Sequence, residues 1–310
     1  MVMSRMIVEC KMVKVTLGLC VKNCEETIGY VMRSILRQDY PHDNMEMIVV
    51  DGCSEDDTLK IIKDYISKCN LAVKFFSENV GLGFARQMAI DYAAGDFVIW
   101  VDGDTVFPKD FVRKQVKFMD ENEKVGIGRA RYGILNGVGY VAFLENIPFV
   151  VESLRITNKV PLGICGTEGA IYRIKAIKQA GGFDVNIKGA GEDIDLARRI
   201  LALGWEARVT DAIFYEICKD SWREIWKQYF WWGYGGHCTF HKNKDLDFPF
   251  KMSPLGGFIA GILRFPYAFQ LSRRKVLCLL PFHYAFKRLS FCYGFTKAHI
   301  NGYGHSIRKD

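Results

Sequence analysis

Apolar runs alternate with amphipathic segments through the first hundred residues of the chain. They follow one another in this order: strand 13–21, helix 23–39, strand 46–50, helix 58–67, strand 73–77, helix 81–94 and strand 96–101. Strands that alternate with helices predict a mainly parallel sheet with helices on both faces, which is an α/β fold.

The pattern is less regular between residues 108 and 210. Five further elements are predicted there: helix 108–122, strand 125–132, helix 175–180, helix 191–203 and strand 207–210. An apolar run at 138–151 is interrupted by two polar residues and a proline, and at about 14 residues it is too short to span a bilayer. We expect residues 133–157 to form a flexible segment beside the functional site. The residues at 163–172 are glycine-rich and precede a helix.

The character of the chain changes after Cys218. Residues 221–234 (SWREIWKQYFWWGY) predict a helix dense in tryptophan, tyrosine and basic residues. Two apolar runs of about 20 residues follow at 252–271 and 276–295, but both contain charged residues, which cost a few kcal/mol each at the centre of a bilayer. Helices that lie in the membrane interface, or a shallow re-entrant hairpin, fit this pattern better than spanning helices. The alternative is a soluble helical cap over the core.

Composition and charge support two regions. The chain has 310 residues, of which 49% are hydrophobic, so it can bury a sizeable core. Residues 1–220 carry 28 Lys and Arg against 31 Asp and Glu, whereas residues 221–310 carry 14 against 4. We therefore predict a catalytic domain at 1–220 and a basic, aromatic helical region at 221–310. Its charges alternate with apolar runs, which favours an anionic membrane surface over nucleic acid as the partner; a basic face simply in water is the alternative.

Cysteine usage and the start of the chain indicate a compartment. None of the ten cysteines forms a CxxC pair, so a zinc ribbon is not indicated, and many lie in apolar surroundings. Residues 1–15 are broken by charges and do not resemble a signal peptide. We expect a reducing setting, at the cytoplasmic face of the cell membrane, with the protein peripheral or monotopic.

Polar residues follow three of the predicted strands. Asn23, Asp51 and the pair Asp102 and Asp104 each come just after a strand end, and ligands of parallel sheets bind beyond those ends. Carboxylates are hard ligands suited to Mg²⁺ or Mn²⁺, and Gly103 between the pair lets the backbone approach a ligand closely. These residues therefore predict a metal site on one rim of the sheet, although Asp-Gly is also a common turn pair.

The ordered motifs resemble glycosyltransferase family 2. They are Asn23-x-Glu25, Val49-Val50-Asp51-Gly52-x-Ser54-x-Asp56, Asn79-x-Gly81-x-Gly83-x-Ala85-Arg86, Val101-Asp102-Gly103-Asp104, Gly182-Phe183-Asp184 and Gly191-Glu192-Asp193. The resemblance covers residues 14–210, and it implies the GT-A fold (Rossmann-like, a mainly parallel mixed sheet) and an inverting transfer of a sugar from a nucleotide-diphosphate donor.

The resemblance also implies residue roles. Asp51 would bind the nucleotide base, with Asn23, Glu25 and Arg86 on the base and ribose side. Asp102 would contact the ribose or the metal-bound diphosphate, and Asp104 would ligate a divalent metal, Mg²⁺ or Mn²⁺. Asp193 would be the general base, with Glu192 beside it near the acceptor. His237 or His241 is a candidate further metal ligand from the C-terminal side.

Three departures from the family pattern leave the specificity open. Processive relatives carry Gln-x-x-Arg-Trp, whereas Gln228 to Trp232 reads QYFWW and lacks the arginine, which counts against polymer synthesis. Lys22 replaces an aromatic residue that often precedes the asparagine, and Cys20 replaces a frequent proline. The nucleotide, the donor sugar and the oligomeric state are not fixed by the sequence.

The predicted base helps to choose the acceptor. A lipid phosphate oxygen is already anionic and needs no base, so a carboxylate at Asp193 favours a hydroxyl acceptor, such as a lipid-linked or cell-envelope glycan. A polyprenyl-phosphate sugar synthase of the same fold is the first alternative, and a catalytically silent membrane-surface binding protein is the second. A dinucleotide-dependent oxidoreductase is disfavoured because the first strand–helix turn lacks Gly-x-Gly-x-x-Gly.

Overall fold

A computed structural model describes residues 14–162, 165–187, 189–242 and 250–303. Its centre is an eight-stranded sheet in the order β3-β2-β1-β4-β7-β6-β8-β5. Residues 1–13, part of the stretch expected not to be a signal peptide, lie outside the described residues. Gly163 and Ile164 of the glycine-rich segment also lie outside them.

Four parallel strands form one half of the sheet. They are β1 (Val15–Val21), β2 (Met45–Asp51), β3 (Ala72–Ser77) and β4 (Phe97–Val101). The strands β1, β2 and β4 are buried along their whole length, which explains why they read as unbroken apolar runs. Gly18 is required in β1 because a Cβ there would lie 2.8 Å from the Trp100 ring of β4.

The other half of the sheet is mixed. It contains β5 (Thr105–Val106), β6 (Val125–Tyr132), β7 (Ala170–Arg173) and β8 (Glu206–Glu216). The strand β7 pairs antiparallel with β4 and β6, β6 pairs parallel with β8, and β5 pairs antiparallel with β8. The predicted strand at 207–210 is therefore the first part of a longer strand that reaches the rim of the site.

Helices cover both faces of the sheet, as predicted. They are α1 (Glu25–Leu36), α2 (Thr58–Ile66), α3 (Leu82–Asp91), α4 (Phe111–Glu121), α6 (Ile174–Gln179) and α7 (Glu192–Ala202). One core joins α1, α2 and α4 to one face, and a second core joins α3, α6 and α7 to the other. The alternation of inward and outward residues along β1 supplies both cores, since Leu17 and Leu19 enter the first and Cys20 the second.

The segment that we expected to be flexible is instead a buried helix, α5 (Tyr140–Arg155). Its polar interruptions have partners: Asn146 Nδ2 donates to the main-chain oxygen of Gly133 at 3.2 Å, and Glu145 accepts from Lys287 Nζ at 2.9 Å and from the Tyr229 hydroxyl at 2.7 Å. The partners of Glu145 come from distant parts of the chain, so the local pattern gave no sign of them. The expectation of flexibility is wrong for residues 140–155.

Three long helices follow the sheet. They are α8 (Trp222–Lys242), α9 (Pro254–Ser272) and α10 (Leu280–Ile300). The helices α8 and α10 pack backbone to backbone at two glycines, since a Cβ at Gly233 or Gly294 would lie about 2 Å from a main-chain oxygen of the other helix. Within the described ranges, no helix combines the length and the apolar character needed to cross a membrane.

Candidate functional site

The loops after β1 and β2 hold each other by side chain to main chain hydrogen bonds. Asn23 lies in the left-handed region with φ 48°, which asparagine tolerates. The Asn23 main-chain N–H donates to Ser54 Oγ at 3.0 Å, and the side-chain Oδ1 of Asn23 accepts from the Glu55 main-chain N–H at 2.9 Å. The structure thus brings Asn23 to the predicted rim and engages its side-chain oxygen with the neighbouring loop.

Glu25 makes a second, reciprocal connection between the same loops. The Glu25 amide donates to Asp56 Oδ2 at 3.0 Å, and Glu25 Oε2 accepts from the Asp57 amide at 2.9 Å, at the start of α2. Together with Asn23 this fixes the floor beside β1 and β2. The binding roles implied for Asn23 and Glu25 stay predictions.

Asp51 ends β2 and is almost fully buried, with 2% of its surface exposed. Its Oδ2 accepts from the Ser54 amide at 3.0 Å, which fixes the carboxylate. Its buried Oδ1 has no hydrogen-bond partner among the residues that the structure describes. A buried acceptor without a partner costs on the order of 1–3 kcal/mol, so this oxygen is suited to receive an N–H donor from a ligand.

Asp102 follows β4 and is joined to Arg86 and Glu192. Arg86, on α3, contacts Asp102 Oδ1 at 3.3 Å through Nη2 and pairs with Glu192 through Nη1. Glu192 begins α7, so one buried guanidinium connects the end of β4 with the start of that helix. Three residues predicted from separate motifs therefore form one ion-pair cluster.

Burial shifts the pKa of each member of this cluster. Burial raises the pKa of Asp102 to about 7 although Arg86 opposes the shift, and the side chain still exposes 26% of its surface. Burial raises the pKa of Glu192 to about 8, against Arg86 and with Asp193 adding to the rise. Burial lowers the pKa of Arg86, but Glu192 and Asp102 outweigh that, and the net pKa is raised. The cluster thus contains two carboxyl groups with raised pKa values and one guanidinium, next to the end of β4.

Asp104 lines a cleft of about 470 Å³. Lys219 Nζ contacts Asp104 Oδ2 at 3.3 Å, and both residues line the cleft together with Lys22, Cys24 and Glu224. Burial raises the pKa of Asp104, while the Lys219 ammonium opposes that rise. Lys219 was missed by the sequence reasoning, because no motif marks it and only the path of the chain after β8 brings it here.

Gly103 is required by packing rather than by a left-handed backbone. A Cβ at this position would lie 2.7 Å from Cys24 Sγ. The Gly103 main-chain oxygen accepts from Thr27 Oγ1 at 2.6 Å, which ties the Asp102–Asp104 turn to the first turn of α1. The turn is therefore held rigid against the β1 loop.

Two further carboxyl groups near this turn were missed. Glu216 ends β8 opposite Thr105 in the ladder, and the amide of Ile217 donates to the Asp104 main-chain oxygen at 2.8 Å. Burial raises the pKa of Glu216 well above its usual range, and Glu168, Asp104 and Glu145 add to the rise. Glu168 in turn pairs with Arg129 at 3.4 Å. The signal for Glu216 was the length of β8, which sequence periodicity underestimated, whereas Glu168 precedes β7 and had no such signal.

Asp193 is the second residue of α7 and is partly exposed. A Cβ on Gly166 would lie 3.4 Å from Asp193 Oδ2, so the carboxylate faces the segment before β7. Arg129 fixes that segment by donating to the main-chain oxygens of Gly166 and Glu168 at 3.0 and 2.9 Å. Asp193 also adds to the raised pKa of Asp102, which places the two acids in one electrostatic environment.

His237 is placed differently from the expectation. Its Nδ1 lies 2.6 Å from the main-chain oxygen of Tyr303, and its Nε2 lies 3.0 Å from His241 Nε2 and 3.1 Å from His299 Nδ1. Both ring nitrogens are thus engaged by groups other than Asp102 and Asp104. The geometry does not support adding His237 to a metal held by those two acids.

Asp102 and Asp104 fit a divalent metal by their donor chemistry. They offer hard carboxylate oxygens from one rigid turn, and Mg²⁺ or Mn²⁺ is commonly held by one or two such groups together with substrate phosphates and water. Lys219 and Arg86 supply positive charge at the same acids. The residues present therefore fit a metal that arrives with an anionic ligand.

Known protein sequences give the chain a family. The sequence model described as "Glycosyl transferase family 2" matches residues 16–181, more than half of the chain. The poly(ribitol-phosphate) beta-N-acetylglucosaminyltransferase TarS of Staphylococcus aureus is 28% identical over 200 residues, covering 64% of this chain and 34% of TarS. The poly-beta-1,6-N-acetyl-D-glucosamine synthase of Staphylococcus epidermidis is 24% identical over 222 residues, covering 69% of this chain and 52% of the synthase. The chain thus spans about a third of TarS.

Solved structures share the fold. Residues 1–349 of S. aureus TarS in complex with UDP superpose with a TM-score of 0.52 at 20% identity, covering 93% of this chain and 92% of that one. The mannosyltransferase PcManGT from Pyrobaculum calidifontis, in complex with GDP-Man and Mn²⁺, gives a TM-score of 0.58 at 18% identity, covering 96% and 76%. The predicted GT-A fold is confirmed, and the chain belongs to glycosyl transferase family 2.

Proposed function

We propose that the protein transfers a sugar, with inversion, from a nucleotide-diphosphate sugar to a hydroxyl group of a cell-envelope or lipid-linked glycan. The observation that carries the proposal is the convergence of Asp51, Asp102, Asp104 and Asp193 on one end of the sheet. Relatives support the donor class, since solved structures of the same fold contain UDP and GDP-Man. TarS, named for N-acetylglucosamine transfer to poly(ribitol-phosphate), and the Staphylococcus epidermidis synthase, named for a polymer of N-acetylglucosamine, support the acceptor class.

Donor binding begins at Asp51. Its buried Oδ1 accepts a hydrogen bond from an N–H of the nucleobase. This bond contributes strongly to affinity because the buried oxygen is otherwise unpaired among the described residues. The loops fixed by Asn23 and Glu25 hold the base and ribose beside β1. The diphosphate then reaches the Asp102–Asp104 turn and the Lys219 ammonium.

A divalent metal held by Asp104 and Asp102 would supply positive charge that neutralises the diphosphate as it leaves. Lys219 and Arg86 act in the same sense as fixed charges. Lys219 pairs with Asp104 at 3.3 Å, so in the donor complex it shifts from the carboxylate towards a phosphate oxygen. Arg86 is buried, and it keeps the Asp102 carboxylate in place.

Asp193 acts as the general base on the acceptor. Its carboxylate takes the proton of the acceptor hydroxyl while that oxygen forms a bond to the sugar C1 and the C1–oxygen bond to the diphosphate breaks. The nucleoside diphosphate leaves with the electron pair, and attack from the opposite face inverts the configuration. Glu192, paired with Arg86, is a positioning residue for the start of α7.

The exposed face of α9 supports docking at a membrane surface. Large apolar side chains recur at helical spacing along it, at Leu255, Ile259, Ile262, Leu263, Tyr267 and Leu271, and each exposes 38–65% of its surface. Arg273, Arg274 and Lys275 follow the helix directly. An apolar helical stripe next to basic residues suits the interface of an anionic membrane, on the cytoplasmic side.

The experiment is a thermal-stabilisation screen of nucleotide sugars with and without Mn²⁺. We expect one nucleotide class to raise the melting temperature, more with Mn²⁺ present, and Asp51→Asn to lose this response while the ligand-free protein melts normally. No stabilisation by any nucleotide, together with no metal-dependent nucleotide binding in calorimetry, would favour a silent binding protein. Asp193→Asn that remains active on a polyprenyl phosphate would assign the acceptor to the phosphate class.

A further inference from the structure

Three histidines from two helices meet outside the site described above. His237 and His241 lie one turn apart on α8, and His299 lies near the end of α10. One ring nitrogen from each lies within 4.8 Å of the others. His237 is fully buried, His241 is partly exposed and His299 is exposed, so the cluster opens to solvent on one side.

The hydrogen bonding of His237 selects its metal-ligating tautomer. A main-chain oxygen can only accept, so the contact of 2.6 Å from His237 Nδ1 to the Tyr303 oxygen requires the proton on Nδ1. The lone pair of Nε2 then points towards His241 and His299. Metal-binding histidines usually donate their other N–H to a carbonyl or carboxylate in this way.

Two of the three nitrogen pairs have a spacing close to that of ligands on one shared ion, and the third pair, between His241 and His299, lies within 4.8 Å and would close as the ion binds. His237 Nε2 lies 3.0 Å from His241 Nε2 and 3.1 Å from His299 Nδ1. Nitrogens bound tetrahedrally to zinc at about 2.0–2.1 Å would lie roughly 3.3 Å apart. One lone pair on His237 cannot accept well from both partners, whereas an ion at the centre would let all three imidazoles donate lone pairs to it.

We propose that His237, His241 and His299 form a Zn²⁺ site that fastens α8 to α10. Neutral imidazoles favour zinc and other late first-row metals over Mg²⁺ or Mn²⁺, so this site differs in chemistry from the carboxylates at Asp102 and Asp104. Within the described ranges these histidines supply three ligands of a tetrahedral site, which takes four.

The site also bears on the loop that precedes α7. Tyr303, which accepts from His237, receives a hydrogen bond at its hydroxyl from the Gly189 amide at 3.1 Å. A Cβ at Gly191 would lie 2.3 Å from Thr239 Oγ1, so α8 packs directly on this loop. A metal at the three histidines therefore stabilises the framework around Glu192 and Asp193 without touching the reacting groups.

The test is equilibrium binding of ZnCl₂ alone to the metal-stripped full chain, with the melting temperature as a second readout. We expect one equivalent of Zn²⁺ per chain and a rise in melting temperature. His299→Gln and His241→Gln should each weaken binding at least about tenfold, as expected when one of three ligands is lost. Co²⁺ should give the visible absorption of a tetrahedral site in the wild type and lose it in His299→Gln and His241→Gln.

Two controls separate this site from others. His42→Gln removes a histidine on the turn before β2 and should leave zinc binding unchanged. Asp104→Asn should also leave it unchanged, whatever it does to nucleotide binding. Absence of stoichiometric Zn²⁺ binding, or equal affinity in His299→Gln and the wild type, would overturn the proposal and identify the cluster as a hydrogen-bonded histidine chain.

Discussion

Arg86 is the residue on which the charges of the candidate site depend. It is 5% exposed and contacts both Asp102, which follows β4, and Glu192, which begins α7. Removal of one partner from a buried ion pair leaves an uncompensated charge, which is far more costly than the pair is stabilising. The sequence motif identified Arg86, but not this bridging contact.

Arg86→Met should therefore lower the free energy of unfolding by about 3–5 kcal/mol in urea titrations. The matched control is Arg113→Met, which breaks an exposed pair with Asp39 at 3.0 Å and should change the free energy of unfolding far less, because solvent screens that pair. Adding Glu192→Gln to Arg86→Met should recover part of the loss, because one orphaned acid is removed. An equal loss of unfolding free energy in Arg86→Met and Arg113→Met would contradict the bridging role of Arg86.

Some residues of the candidate site could be predicted from the sequence next to them, and others could not. Asp51, Asp102 and Asp104 follow apolar strands directly, so periodicity and parallel-sheet geometry place them on one rim. Lys219, Glu216 and Glu168 could not be predicted in the same way. Glu216 and Lys219 reach the site through the antiparallel pairing of β8 with β5, a strand more than a hundred residues earlier in the chain, and Glu168 reaches it beside Arg129 of β6. Contacts of this kind between distant segments leave no local pattern.

At the scale of elements, the sequence predicts regular strands and amphipathic helices well. Every strand and helix expected between residues 13 and 132 is present, and the two-residue strand β5 was not foreseen. The helix α5 was missed because Glu145 and Pro148 interrupt its apolar run. Its buried carboxylate is matched by Lys287 of α10, a contact 142 residues away that no local pattern encodes.

The exposed face of α9 belongs to this scale, and its proposed contact is lipid. Leu263→Glu removes an apolar side chain that is 65% exposed and adds a negative charge next to anionic headgroups. We expect this substitution to lower the affinity for vesicles that contain phosphatidylserine by about tenfold in sedimentation assays, since each lost or added interaction contributes on the order of 1 kcal/mol. Binding by the variant as tight as by the wild type would remove α9 from the membrane contact.

Leu203→Glu is the matched control for this variant. It makes the same substitution at a leucine that is 55% exposed directly after α7, away from α9 in the sequence. We expect vesicle binding to be unchanged there. A similar loss in both variants would show that net charge, and not the α9 face, governs the binding.

At the scale of the whole molecule, one buried network joins the sheet-covering helix α5 to the C-terminal helices. Glu145 of α5 accepts from Tyr229 of α8 and Lys287 of α10, and His283 Nε2 lies 3.3 Å from the same carboxylate. Burial, with a smaller effect of Lys287, lowers the pKa of His283 to about 2. The histidine is thus neutral in the folded protein.

This pKa predicts how stability changes with pH. The unfolded chain protonates the histidine below about 6.5, whereas the folded chain does not. Stability from this group is therefore present above about pH 6.5 and falls by about 1.4 kcal/mol per pH unit as the pH decreases towards 2. In urea titrations between pH 7 and 5, the pH dependence of the wild type and that of His283→Asn should differ by about 1.4 kcal/mol per pH unit below about pH 6.5, and His42→Asn should keep the wild-type pH dependence. The same pH dependence of stability in His283→Asn as in the wild type would contradict a neutral, buried His283.

The central claim is that the acids at the end of the sheet carry out sugar transfer. The most direct measurement is the release of nucleoside diphosphate from the donor found in the stabilisation screen, with Mn²⁺ and a hydroxyl acceptor. Asp104→Asn and Asp193→Asn should each lower kcat by about a hundredfold or more with little change in melting temperature. Asp64→Asn, an exposed acid on α2, should match the wild type. Full turnover in Asp104→Asn and Asp193→Asn would contradict the assignment of the site.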